Sequence, residues 1–396
     1  MTSSYNNDDE ASIQELAEEL RKKLQLAHFW PNLTINSASC KELGINMSHG
    51  EPWDDSCDAS TRTCPRTSLP DDLSERIRSL VSPPSAHVPN KYLSVLEDMR
   101  NNVTLHPDTN FLILSAVSSN HFLESQDMLR NFHVMVYPFF KNFSLIVYDI
   151  GLMPEERRLL EKHCRCHVAD FPFHRLPDWH RDLRCFSWKI FIIAAHYLQA
   201  EVTMWSDASI RITRPVNLIE LIKQTKLRGV QQRNVRLETA VSNPLHTLPE
   251  MFQHFGDSPC AHLTFRQCEA GFGVYHREKL VHRAVILPWL ACAVRRDCLC
   301  QEGWTTNEFM RCRPLPKNNI ARCNRGDQSA ISVILAKLFR QKYHYFAADT
   351  YNAQKVRKNK RREYFLELES REMESKVDSM YSGVFSGGSS SQATGG

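Results

Sequence analysis

The sequence predicts an α/β fold: a mostly parallel sheet with helices on both faces, an N-terminal stem and a flexible C-terminal tail. Three observations predict it. Short apolar runs recur at 111–117, 145–150, 167–171 and 201–206. They lack polar alternation, as strands do when both faces are buried. Segments with apolar residues three and four apart separate them, and such alternation implies right-handed βαβ crossovers. Finally, the runs end in small or acidic residues, at Ser118-Ser119-Asn120, Asp149 and Asp207. Open α/β sheets bind ligands outside the carboxyl ends of their strands.

Ile13, Leu16, Ala17, Leu20, Leu24 and Ala27 fall at helical spacing and predict an amphipathic helix over 11–28. Residues 1–105 read as stem and linker. The stretch 31–84 is rich in Ser, Thr, Asn, Asp and Pro, with Cys40, Cys57 and Cys64 as candidate clips. Tyr92 to Met99 is a candidate short helix. The main domain spans 106–350. After the first strand, Phe122, Met128, Leu129 and Phe132 mark a helix. After the second, Gly151 turns the chain, and Pro154-Glu155-Glu156 opens a helix: proline fits the first helical position and acids suit the dipole. Trp188 to Leu198 reads as a buried helix leading to the strand Glu201–Ser206. Helices are expected over 216–225, 280–294 and 327–339, and Tyr343–Phe346 is a candidate last strand. The segments 229–276 and 295–324 are mixed and Cys-rich, respectively. Residues 351–396 read as a charged, solvated helix followed by a Ser/Gly-rich, disordered tail.

The 396 residues are 42% hydrophobic and 24% charged, with net charge +4. That balance lacks the basic excess of a nucleic-acid binder. No apolar run is long enough to span a membrane. The polar, acidic N-terminus does not read as a signal peptide. Thirteen cysteines point instead to an oxidising compartment, and their odd number leaves at least one free or paired with another molecule. Sequons at Asn32, Asn46, Asn102 and Asn142 agree with it weakly. Cys298, Cys300, Cys312 and Cys323 lack a C-x-x-C knuckle, which favours disulfides over zinc. The histidines show no metal-ligand spacing.

Asp207-Ala208-Ser209 has the shape of the D-x-D motif of nucleotide-sugar transferases, with Ser where the second acid would stand. Asp207 and Ser209 are therefore candidate ligands of Mn²⁺ or Mg²⁺, hard cations that take oxygen donors. Arg211 is a candidate phosphate contact, since guanidinium matches phosphate oxygens. Ser118, Asn120 and Asp149 are candidate nucleotide contacts on the same rim. Glu269, beside Gly271 and Gly273, and Asp327, opening a helix, are candidate bases. Each has a plainer reading: Asp207 and Glu269 as turn residues, Asp327 as a helix cap.

Several motifs occur in a fixed order: Leu114-Ser115-Ala116-Val117-Ser118-Ser119-Asn120-His121-Phe122, Val147-Tyr148-Asp149-Ile150-Gly151-Leu152, Phe186-Ser187-Trp188-Lys189 and Trp205-Ser206-Asp207-Ala208-Ser209-Ile210-Arg211. Glu269-Ala270-Gly271 and Asp327-Gln328-Ser329-Ala330 follow. Over roughly 110–346 this series resembles a metazoan family of unassigned function, expanded in nematodes. That family is itself similar to glycosyltransferases of the A-type, nucleotide-diphospho-sugar transferase fold. The resemblance implies a nucleotide-sugar donor, a glycan or protein acceptor, a divalent metal and residence in the Golgi lumen. Ser209 in place of an acid, and the lack of an anchor in this chain, depart from that pattern. A non-catalytic binding protein on the same scaffold is the alternative.

Overall fold

The computed structural model describes residues 3–28, 69–234, 242–301, 324–348, 353–356 and 363–385. Cys40, Cys57, Cys64, Cys312, Cys323, the sequons at Asn32 and Asn46, and the Ser/Gly-rich tail lie outside them.

The helices α1 (Ser3–Leu26), α2 (Leu73–Val81) and α3 (Asn90–Asn101) precede the alternating part. This runs β1 (Phe111–Val117), α4 (Phe122–Met135), β2 (Phe143–Asp149), α5 (Pro154–His163), β3 (His167–Asp170), α6 (Ser187–His196) and β4 (Val202–Ser206). Next come β5 (Ile210–Ile212), α7 (Pro215–Arg228), β6 (Val230–Asn234) and β7 (Cys268–His276). Helices α8 (Leu287–Ala293) and α9 (Asp327–Phe339), strands β8 (Ala347–Ala348) and β9 (Ala353–Lys355), and α10 (Tyr364–Phe385) complete the chain.

The main sheet has the order β3-β2-β1-β4-β7-β6-β8. Its first four strands are parallel, and β7 lies antiparallel between β4 and β6. This is the mostly parallel α/β sheet that the sequence predicts. Side chains of β1 alternate between two cores. Leu112, Leu114 and Ala116 pack with α3, α6, α8 and α9, while Ile113 and Val117 pack with α4, α5 and α7. Burial on both faces is why β1 carries no polar alternation.

The amphipathic helix over 11–28, read as a surface or stem helix packed on a neighbour, is packed: Ile13, Leu16, Ala17 and Leu20 are buried in the larger core, and Lys23 bonds Glu278 at 2.9 Å. Several sequence expectations need correction. Within the expected linker, α2 buries Ile77 and Leu80, and Asp72 caps its N-terminus. Tyr343–Phe346 is no strand but the end of a 3-10 segment, Arg340–Phe346. It turns Phe346 onto Phe339 and buries both, and the chain joins the sheet only afterwards, where β8 pairs with the outer side of β6. The charged helix α10 is not wholly solvated, because Phe365 is fully buried in the second core. The helix expected over 280–294 contains a π turn, His282–Ile286. It falls just before Pro288, which has no N–H for the α-helical ladder.

Candidate functional site at the end of the fourth strand

The chain leaves β4 through Trp205 and Ser206 and turns at Asp207-Ala208-Ser209, where the Ile210 N–H donates to the Asp207 carbonyl. The Asp207 N–H donates to the Gly271 carbonyl at 2.9 Å, which ties this turn to β7. Asp207 Oδ1 accepts from the Trp205 indole at 2.8 Å and lies 3.2 Å from Lys189 Nζ. No donor is found on Oδ2 among the described residues, and the side chain is 30% exposed.

Lys189 is the hub. It sits in the first turns of α6, which opens after Phe186 adopts a left-handed φ of 55° and which the Cys185–Cys300 disulfide anchors. Its ammonium donates to Asp327 Oδ2 at 2.6 Å and to the Ala270 carbonyl at 3.2 Å. It also lies over the rings of Phe186, Trp188 and Trp205. Burial depresses the Lys189 pKa, but Asp207 and Asp327 outweigh it, and the net shift is upward. The lysine therefore stays charged. Asp327 is 4% exposed at the start of α9, where burial pushes its carboxyl up and Lys189 opposes the shift. Glu269 pairs with Arg233 across the β6–β7 ladder, and Lys355 Nζ stands 4.0 Å away.

Asp207 and Asp327 are thus joined through Lys189, with Glu269 two residues before Gly271 on the neighbouring strand. Ser209 lies in the same turn as Asp207, and its carbonyl accepts from the Val356 N–H just after β9. The other candidates stand farther along the rim. Asp149 Oδ1 accepts from the Gly151 and Leu152 N–H groups, and Oδ2 pairs with Arg157 at 3.0 Å. Ser118 donates to Asn120 Oδ1 at 2.6 Å. Arg211 is not disposed for phosphate. The residue is 7% exposed, and its guanidinium bonds Asp127 and the carbonyls of Glu124, Ala208 and Ile210, so it braces the turn from behind.

Lys189, Trp205, Arg233 and Lys355 were not among the sequence candidates. One signal pointed to Lys189: a lysine inside Trp188-Lys189-Ile190-Phe191-Ile192-Ile193. Charged residues are rarely fully buried without a partner. Trp205 stands only two residues before Asp207, whereas nothing local marked Arg233 and Lys355, whose roles depend on pairing between distant strands.

The acids present do not fit a divalent ion. Among the described residues the one trio at ligand spacing is His254, Cys292 and Cys298, whose sulfurs form a disulfide. Asp207 offers a single unengaged oxygen, Asp327 is held by Lys189, and Glu269 by Arg233. Hard cations want several oxygens, and an ammonium on the same carboxylate repels them.

Three disulfides occur among the described residues, Cys164–Cys166, Cys185–Cys300 and Cys292–Cys298, while Cys268 is a buried free thiol. No helix among these residues is long and apolar enough to cross a membrane.

Residues 89–194 match the family described as "Protein of unknown function (DUF1647)". No functionally curated protein matches the chain. Similar solved structures are glycosyltransferases. The bifunctional enzyme WbbM has 9% identity and a TM-score of 0.33, over 61% of this chain and 40% of that one. The galactosyltransferase LgtC with donor and acceptor sugar analogues has 12% and 0.33, over 60% and 72%. Core-mannan synthase A from Aspergillus fumigatus, in a Mn/GDP form, has 10% and 0.37, over 63% and 75%. The chain therefore spans less than half the length of the first of these.

Proposed function

We propose that this protein transfers a sugar from a nucleotide-sugar donor to a hydroxyl of a glycan or protein acceptor. The observation that carries this reading is the convergence of Asp207 from β4, Glu269 from β7 and Asp327 from α9 on one sheet edge. That edge lies at the carboxyl ends of parallel strands, where α/β sheets take their ligands. Ser118, Asn120 and Asp149 would meet the nucleotide on the β1–β2 side of the rim. Asp327 is too buried to reach an acceptor and acts by fixing Lys189. Asp207 Oδ2, or Glu269 if it leaves Arg233, would accept the hydroxyl proton. The disulfides agree with an oxidising compartment such as the Golgi lumen that the family resemblance implies.

A binding protein without catalysis is the second reading. Two features favour it: Arg211 is fully engaged by the protein, and Lys189 holds both Asp207 and Asp327. Thermal-shift titration with UDP- and GDP-sugars tests donor binding, and release of free nucleotide from the stabilising donor tests transfer. No stabilisation by any donor sinks the transferase reading. Stabilisation without turnover, unchanged in Asp207→Ala, selects the binding protein.

A further inference from the structure

Three carboxylates stand about the end of β4 and the start of β7, and each faces a cation. Lys189 stands between Asp207 and Asp327, and Arg233 and Lys355 stand on either side of Glu269. Among the described residues the formal charges cancel: three acids, Asp207, Asp327 and Glu269, against three bases, Lys189, Arg233 and Lys355. A site that holds Mn²⁺ or Mg²⁺ presents surplus negative charge and oxygen lone pairs free of protein donors. Here Asp207 Oδ2 meets no donor among the described residues, but bringing a divalent ion to it would set that ion beside a buried ammonium.

We propose that the Lys189 ammonium is the resident cation of this site, so that a ligand's diphosphate is received without a divalent metal. This rests on the nucleotide-sugar reading above and replaces the metal in it. Lys189 is 2% exposed and acts as a positioning residue: it neutralises the two aspartates that would otherwise repel phosphate. Lys355 is the cation the ligand meets. Its side chain is half exposed, and β9 holds it against β5, immediately after the Asp207 turn.

The test uses the purified chain with its disulfides intact. Mn²⁺ alone is titrated and followed by electron paramagnetic resonance, and UDP- and GDP-sugars are titrated in Mn²⁺ or in EDTA. The expected results are no Mn²⁺ site tighter than about 1 mM that Asp207→Asn removes, and the same thermal shift from nucleotide-sugar in either buffer. Lys355→Ala should weaken that binding by about tenfold without lowering the melting temperature. Lys189→Met should create Mn²⁺ binding that Asp207→Asn abolishes; if it does not fold, Mn²⁺ titration of the wild type still decides. Donor binding that vanishes in EDTA overturns the inference and leaves the transferase reading standing. A tight Mn²⁺ site at Asp207 overturns it whether or not any donor binds. Absence of donor binding in both buffers takes down the transferase reading, and the diphosphate role of Lys355 with it.

Discussion

A Cβ on Gly271 would lie 2.9 Å from Oδ2 of Asp207, a carboxylate oxygen that no described donor engages. The glycine is there for space, since its φ is not positive. It gives the Asp207 turn room against β7 and keeps Oδ2 open.

Gly271→Ala should therefore disturb the site more than the fold. Alanine usually gains about 0.4–1 kcal/mol over glycine through the unfolded chain. Displacing Asp207 costs about 1–3 kcal/mol in a packed setting. The expected outcome is a small net loss in urea unfolding, with donor-induced thermal shifts abolished. Undiminished donor binding in this variant would remove Asp207 from the site.

The ion pair of Lys189 with Asp327 is buried on every side. Removing one partner strands a charge, so Lys189→Met should destabilise by about 3–5 kcal/mol. Removing both with apolar side chains, Lys189→Met with Asp327→Leu, should recover much of that loss. Chemical denaturation of the single and double variants reads the coupling. Additive losses would show that the pair is not a unit.

Acid should destabilise the fold through its buried histidines. Burial lowers the pKa of His180 to about 3 and of His196, His246, His254 and His344 to about 4, from 6.5. A depressed folded pKa means that the unfolded chain takes up protons first. The stability these groups give is complete above pH 6.5 and is lost as the pH falls toward 4. For His196, bonded to the Tyr148 hydroxyl at 2.7 Å, the loss is roughly 3 kcal/mol on the scale of 1.36 kcal/mol per unit. Denaturation midpoints measured across that window, in wild type and His196→Phe, should converge at low pH.

The Cys185–Cys300 disulfide joins residues 115 apart and sits one residue before the left-handed turn that aims α6. Replacing both with serine should cost about 2–4 kcal/mol, because a long loop is set free in the unfolded chain. The same change at Cys164 and Cys166, only two apart, should cost much less. Cys268, buried and with its thiol pushed up to about 12, should stay unreactive toward thiol reagents until the chain unfolds.

The four parallel strands were legible because they are short, apolar and buried on both faces, a pattern that needs no partner to be read. β7 was hidden by the glycines that make it useful. Gly271 and Gly273 weaken a strand signal, and they are there because Asp207, Gln232 and Tyr275 crowd that strand. The helix α10 was read as solvated from its charge. A charged exposed face looks the same whether the opposite face is docked or free.

The sequence by itself determined the parallel core and delivered Asp207 to a strand end, because periodicity and strand-end chemistry are local properties. Only the tertiary structure decided what stands beside that aspartate. The ammonium of Lys189 comes from a helix earlier in the chain, Asp327 from a helix far later, and Arg211 turns away to brace the turn. Which charges meet is set by the packing of distant elements. The character of this site, a cation already in place, follows from those long-range pairings and from the cost of burying any of its charges alone.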